Sequence, residues 1–72
     1  MSYSVREVYQ ARFAGPVTEV KVDDKLVGYV YFERTVDQWM AHTWATHPAA
    51  SKEDGVRAVT DYAASHPDHE LL

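Results

Sequence analysis

The sequence contains no cysteine, only three glycines and three prolines, and no long apolar run. Without cysteine there is no disulfide staple and no thiolate set for zinc. The three glycines, Gly15, Gly28 and Gly55, form no phosphate-cradling loop. No segment approaches the ~20 apolar residues needed to cross a bilayer. Met1-Ser2-Tyr3-Ser4-Val5-Arg6 lacks the basic-then-apolar layout of a signal peptide. The expectation is a cytoplasmic protein without a membrane partner. Basic residues are scarce too: seven Lys and Arg stand against eleven Asp and Glu, a formal net charge of −4. Arg6, Arg12, Lys21, Lys25, Arg34, Lys52 and Arg57 are dispersed, each with acids nearby. Phosphate binding by counterion release needs a basic stripe instead.

What is present suits one small folded domain. Hydrophobic residues make up 46% of the 72, normal for a globular chain and too many for a disordered one. A chain this short buries only about 60% of its unfolded surface, which allows one thin core and no deep cleft. Residues 1–66 read as a single α+β domain and residues 67–72 as a loose tail.

The clearest element is Val17-Thr18-Glu19-Val20-Lys21-Val22, a β-branched run ending in strict alternation. Asp23-Asp24-Lys25 is a polar break of hairpin length. Leu26 to Glu33 then reads as a second strand, antiparallel to the first. Gln38 to Trp44 fits a third strand or a helical turn, and strand is the reading adopted. Ala45 to Ala50 contains Pro48 and reads as a loop. Ser51 can cap a helix whose first turn carries Glu53 and Asp54. Val56, Val59, Tyr62 and Ala63 follow as its apolar stripe, and Pro67 stops it.

The first segment supports two readings. Val5, Val8, Tyr9 and Phe13 fit a helix face, and Ser4 with Glu7 fits a capping box. Tyr9, Ala11 and Phe13 also alternate with Gln10 and Arg12, as in a strand, before an Ala14-Gly15-Pro16 turn. Strand is preferred, because an isolated short helix is marginal. The expected architecture is a three- to four-stranded antiparallel sheet packed on one C-terminal helix.

Period-two geometry sorts the sheet residues. Val20, Val22, Val30 and Phe32 are expected beneath the helix, with small Gly28 letting it approach. Val27, Tyr29 and Tyr31 then face the other way. Tyr29, Tyr31 and Trp44 form the candidate interaction face, since Tyr and Trp are enriched at binding hot spots. Closure of that face by the first segment is the competing reading.

The chemistry-bearing residues have simpler explanations. His66 with His69, and His42 with His47, have ligand-like spacing but no second rigid pair, so solvated histidines account for them better than a metal site. Ser51 is a cap. Thr43 beside His42 and Thr46 beside His47 point to opposite faces of a strand. Glu19, Glu33 and Asp37 read as solvated charges. No catalytic residue, metal or cofactor is implied.

With a helical first segment the order becomes α-β-β-β-α. That order, with Gly15-Pro16 before the sheet and Ser51-Lys52 opening the last helix, resembles a double-stranded-RNA-binding domain. The lysine cluster of that family is absent here, where Glu53 and Asp54 follow Lys52. Gly28-Tyr29-Val30, Trp39-x-Ala41 and the run from Ser51 to Val59 are similar to small uncharacterised α+β proteins of actinobacteria and their phages, over residues 16–64. That resemblance implies a phage or accessory protein acting by binding. The functional expectation is therefore a non-enzymatic protein-interaction module that modulates a host protein or forms a homodimer. The alternatives are a nucleic-acid-binding domain using its sheet face, and an acidic nucleic-acid mimic.

Overall fold

The computed structural model describes residues 2–13 and 15–71. Met1, Ala14 of the expected turn and Leu72 of the expected tail lie outside them. Five antiparallel strands run in sequence order, β1 (Tyr3–Gln10), β2 (Gly15–Val22), β3 (Lys25–Glu33), β4 (Gln38–His42) and β5 (Thr46–Ala49). One helix, α1 (Lys52–Ser65), follows. The α+β class is as the sequence indicates, but the sheet has five strands rather than three to four. The additional one is β5, formed where Pro48 suggested a loop. Proline is compatible with an edge strand, where it need not donate to a ladder on both sides. The first segment is β1, joined to β2 through a short 3₁₀ turn at Ala11–Phe13. The α-β-β-β-α order is therefore not formed.

Local chemistry sets the connections. Asp23 and Asp24 both adopt positive φ, 51° and 68°, between the paired Val22 and Lys25. A two-residue hairpin with both residues left-handed matches strand twist, and Asp tolerates that region better than most residues. Asp23 Oδ1 also accepts from the Ser2 backbone N at 3.2 Å, tying the start of β1 to the turn. At the head of α1, Ser51 Oγ accepts from Asp54 N at 3.1 Å, the expected cap.

The helix lies mainly over β3 and β4, less over β2 and β5. Val20, Val22, Val27, Val30 and Ala41 of the sheet form the core with Val59 and Ala63 of the helix. Two close approaches fix its height. Val59 sits on Gly28 and Val30 sits on Gly55, each glycine leaving room that a side chain would fill.

Two positions depart from simple alternation. Pairing shifts between Val20, opposite Gly28, and Lys21, opposite Leu26, so Val27 is an extra residue on β3. This bulge returns Val27 to the helix side, where it is buried, instead of beside Tyr29 and Tyr31. Phe32, expected in the core, is 41% exposed. It lies past Val30, which is already under the first turns of α1, and packs edge-on to Trp39 at 5.4 Å.

Residues 67–71, expected to be loose, return to the sheet. Leu71 N donates to Leu26 O at 2.8 Å, and His69 Nε2 meets Val27 O at 3.1 Å. Tyr62 is held between His66, stacked at 4.1 Å, and His69, edge-on at 4.8 Å. Among the described residues no helix is long and apolar enough to cross a membrane.

Thr43 is buried, and its Oγ1 has no hydrogen-bond partner among the described residues. A buried unsatisfied hydroxyl costs ~1–3 kcal/mol. Replacing it with a methyl of similar shape in Thr43→Val should raise Tm by about 5 °C, measured by thermal unfolding.

Candidate interaction surface

The register lines up one row of side chains across the sheet face away from α1. Arg6 pairs with Glu19, Glu19 with Tyr29, Tyr29 with His42 and His42 with Thr46. Directly opposite residues share a face, so all five side chains point away from the helix. Arg6 lies 3.4 Å from the buried Glu19 carboxylate, and Lys21 lies 3.9 Å from it. Gln10 Nε2 donates to Tyr29 Oη at 3.4 Å. His42 Nδ1 and Thr46 Oγ1 are 2.9 Å apart.

The face is partly closed. Phe13, carried over it by the 3₁₀ turn, stands 5.5 Å from Tyr29, 4.6 Å from Tyr31 and 5.7 Å from His42. The Arg12 guanidinium lies over the rings of Phe13 and Tyr29, at 5.0 Å and 5.6 Å. Tyr29 and Tyr31 thus share the face opposite the helix, as the pleat requires. Tyr29 is only 7% exposed, so its ring is not free for a partner. Trp44 is 70% exposed but lies past the end of β4, in the Thr43–Ala45 bend. The expected trio of Tyr29, Tyr31 and Trp44 is therefore not one open patch. Pairing of His42 with Thr46 was hidden in the sequence because β5 was. It is a contact between directly opposite residues of β4 and β5.

His42 is held below the usual histidine value of 6.5, first by desolvation and second by the Arg12 charge. The unfolded chain then binds more protons between the two values, so stability rises with pH there. The contribution of the neutral ring is complete above about pH 6.5 and is lost as pH falls through the folded value. The unfolding midpoint should therefore drop on acidification by more in the wild type than in His42→Gln. In Arg12→Gln, an NMR titration should find the His42 value raised but still below that of an unfolded chain.

His66 and His69 each place a ring nitrogen near a backbone carbonyl, of Tyr62 and Val27 respectively. Among the described residues no three His, Asp or Glu gather as a metal site would require.

A second surface was not singled out in the sequence. Asp23 N donates to Ser2 O at 3.0 Å. Strand alternation then points the backbone groups of Ser4, Arg6, Val8 and Gln10 toward β2 and those of Tyr3, Val5, Glu7 and Tyr9 outward. These four also carry their side chains on the helix side, through pairing with Val22, Val20, Thr18 and Pro16. The helix stops short of them: Tyr3 is 61%, Val5 48% and Tyr9 72% exposed. Between β1 and α1 runs a groove lined by Tyr3, Val5, Val56, Arg57 and Thr60. The opposite edge, β5, has only four residues, one of them Pro48. Short strands and proline are devices that blunt an edge; β1, eight residues long, has neither. The signal available in the sequence was the pattern Tyr3-x-Val5-x-x-x-Tyr9, which the ambiguity of the segment obscured. No family model, no curated protein and no solved structure matches this chain.

Proposed function

We propose that the chain is a non-enzymatic protein-interaction module that binds through the open edge of β1 by strand addition. The observation that carries this reading is the outward backbone edge at Tyr3, Val5, Glu7 and Tyr9, flanked by three exposed apolar side chains. Backbone pairing along that edge supplies affinity, and the exposed rings supply the specific contacts. An accessory protein that acts on a host protein by binding would use such an edge. Charge weighs against the nucleic-acid alternative, because Arg6 and Lys21 face Glu19 and Arg57 faces Asp54. Immobilised protein should retain specific partners from host lysate. Val5→Glu should lose them and Trp44→Ser should keep them, by quantitative mass spectrometry. Equal retention by both variants, or no retention by a wild type that is also monomeric, would refute edge binding.

A further inference from the structure

Resting on that reading, we infer that the strand added to β1 is the β1 of a second copy. The two strands would run antiparallel about a two-fold axis through Arg6. The strand is self-complementary about that residue. Tyr3 and Tyr9 lie three positions to either side of Arg6, and Val5 and Glu7 lie one. Antiparallel pairing centred there sets Tyr3 opposite Tyr9 of the partner subunit, twice by symmetry, and Val5 opposite Glu7 of the partner subunit. All four residues present outward backbone groups, so these are the hydrogen-bonded pairs of the new ladder. An axis perpendicular to the sheet keeps each face continuous, giving one ten-stranded sheet with both helices on one side. Tyr9 of the partner subunit then extends the groove wall beside Tyr3, and Glu7 of the partner subunit comes to the side that carries Lys52, Glu53 and Arg57.

Competing registers fit worse. Centring on Glu7 opposes two carboxylates that have no ion pair among the described residues. Centring on Val5 leaves the exposed Tyr9 with no opposite residue within β1. Centring on Arg6 opposes two arginines, but each faces a Glu19 carboxylate at 3.4 Å, which offsets part of the repulsion between them, whereas Glu7 has no such counter-charge among the described residues. Area agrees with a modest dimer. The exposed parts of Tyr3, Val5 and Tyr9 amount to roughly 300–400 Å2 per copy, taking ~150–250 Å2 for an aromatic side chain. Edge pairing covers only the flanks of these side chains, so the junction belongs with the weak interfaces below about 1,200 Å2.

Sedimentation equilibrium on the full chain should show a monomer–dimer equilibrium with a dissociation constant on the order of 10 µM. Val5→Glu sets a carboxylate against Glu7 of the partner subunit at two symmetric places. It should weaken the dimer about tenfold or more, with an unchanged circular dichroism spectrum at dilution. Val5→Lys creates attraction at the same places and should retain the dimer. Adding Glu7→Lys to Val5→Glu should restore it. Equal loss in Val5→Glu and Val5→Lys would overturn the Arg6-centred register, and a monomeric wild type at millimolar protein would overturn self-pairing. If the wild type is monomeric while Val5→Glu still loses lysate partners, edge binding survives and only the second copy is refuted.

Discussion

Gly28→Ala should lower Tm by about 10 °C or more, one of the two largest effects expected of a single substitution in this chain. A Cβ at this position would stand 2.7 Å from His42 O and 2.7 Å from Val59 Cγ1. The first neighbour is backbone of the adjacent strand, so it cannot rotate away. The second belongs to a fully buried side chain that holds the helix on the sheet. Relief requires β3 and β4 to part or α1 to lift, and lifting α1 would separate Val30 from Gly55 as well. Overpacking of this kind costs ~1–3 kcal/mol, a large share of the stability of a small domain. Val59→Ala alone should also destabilise, by about 1–3 kcal/mol, through the cavity it leaves. Combined, the two should cost less than their sum, since the shorter residue 59 removes one of the two clashes. The His42 carbonyl clash remains, so the pair should not return to wild-type stability. Additive losses in thermal or urea unfolding would show that α1 does not rest on Gly28.

Much of this architecture was legible where local and global demands agree. β2 and β3 alternate because one face lies under a helix and the other under Phe13 and solvent. α1 begins at a serine that caps it and ends before Pro67. Its approach to the sheet was foreshadowed by a glycine in a strand, which is costly unless something needs the space. β5 was illegible for the opposite reason. A four-residue strand containing proline has almost no local signal and exists only because β4 offers its edge. The bulge at Val27 is a tertiary outcome as well. Gly28 is its one local sign and does not say which residue is extra, yet the bulge moves one valine to the other side of the sheet.

The candidate surfaces were less legible than the fold. β1 fitted both periodicities because α1 covers little of its helix side, so burial imposes no strict alternation on it. Its Tyr3, Val5 and Tyr9 gain meaning only once the segment is a strand, at an edge, and beyond the reach of α1. The aromatic content of the face away from α1 was evident from Tyr29 and Tyr31. Its partial closure was not, because that depends on where a three-residue turn carries Phe13.

That closure yields the second large effect. Tyr29→Ser should destabilise the isolated chain by about 2–4 kcal/mol, far more than Tyr31→Ser. Although Tyr29 lies on the face opposite the helix, its ring is almost fully enclosed. Glu19 and His42 flank it along the row, Phe13 meets it edge-on, and Arg12 lies above. Serine would empty that space, remove the partner of Gln10 Nε2 and leave Phe13 without its edge contact. Tyr31 keeps one side toward solvent, so its loss removes less buried area. Phe13→Ala should reproduce part of the Tyr29 effect, and the double variant should cost less than the sum because the residues are in contact. Urea unfolding of the four proteins separates the outcomes. Should Tyr29→Ser keep wild-type stability, the face is open in solution and Tyr29 returns as a candidate partner contact. The expected loss assigns Tyr29 to a second, smaller core and leaves the β1 edge as the proposed binding surface.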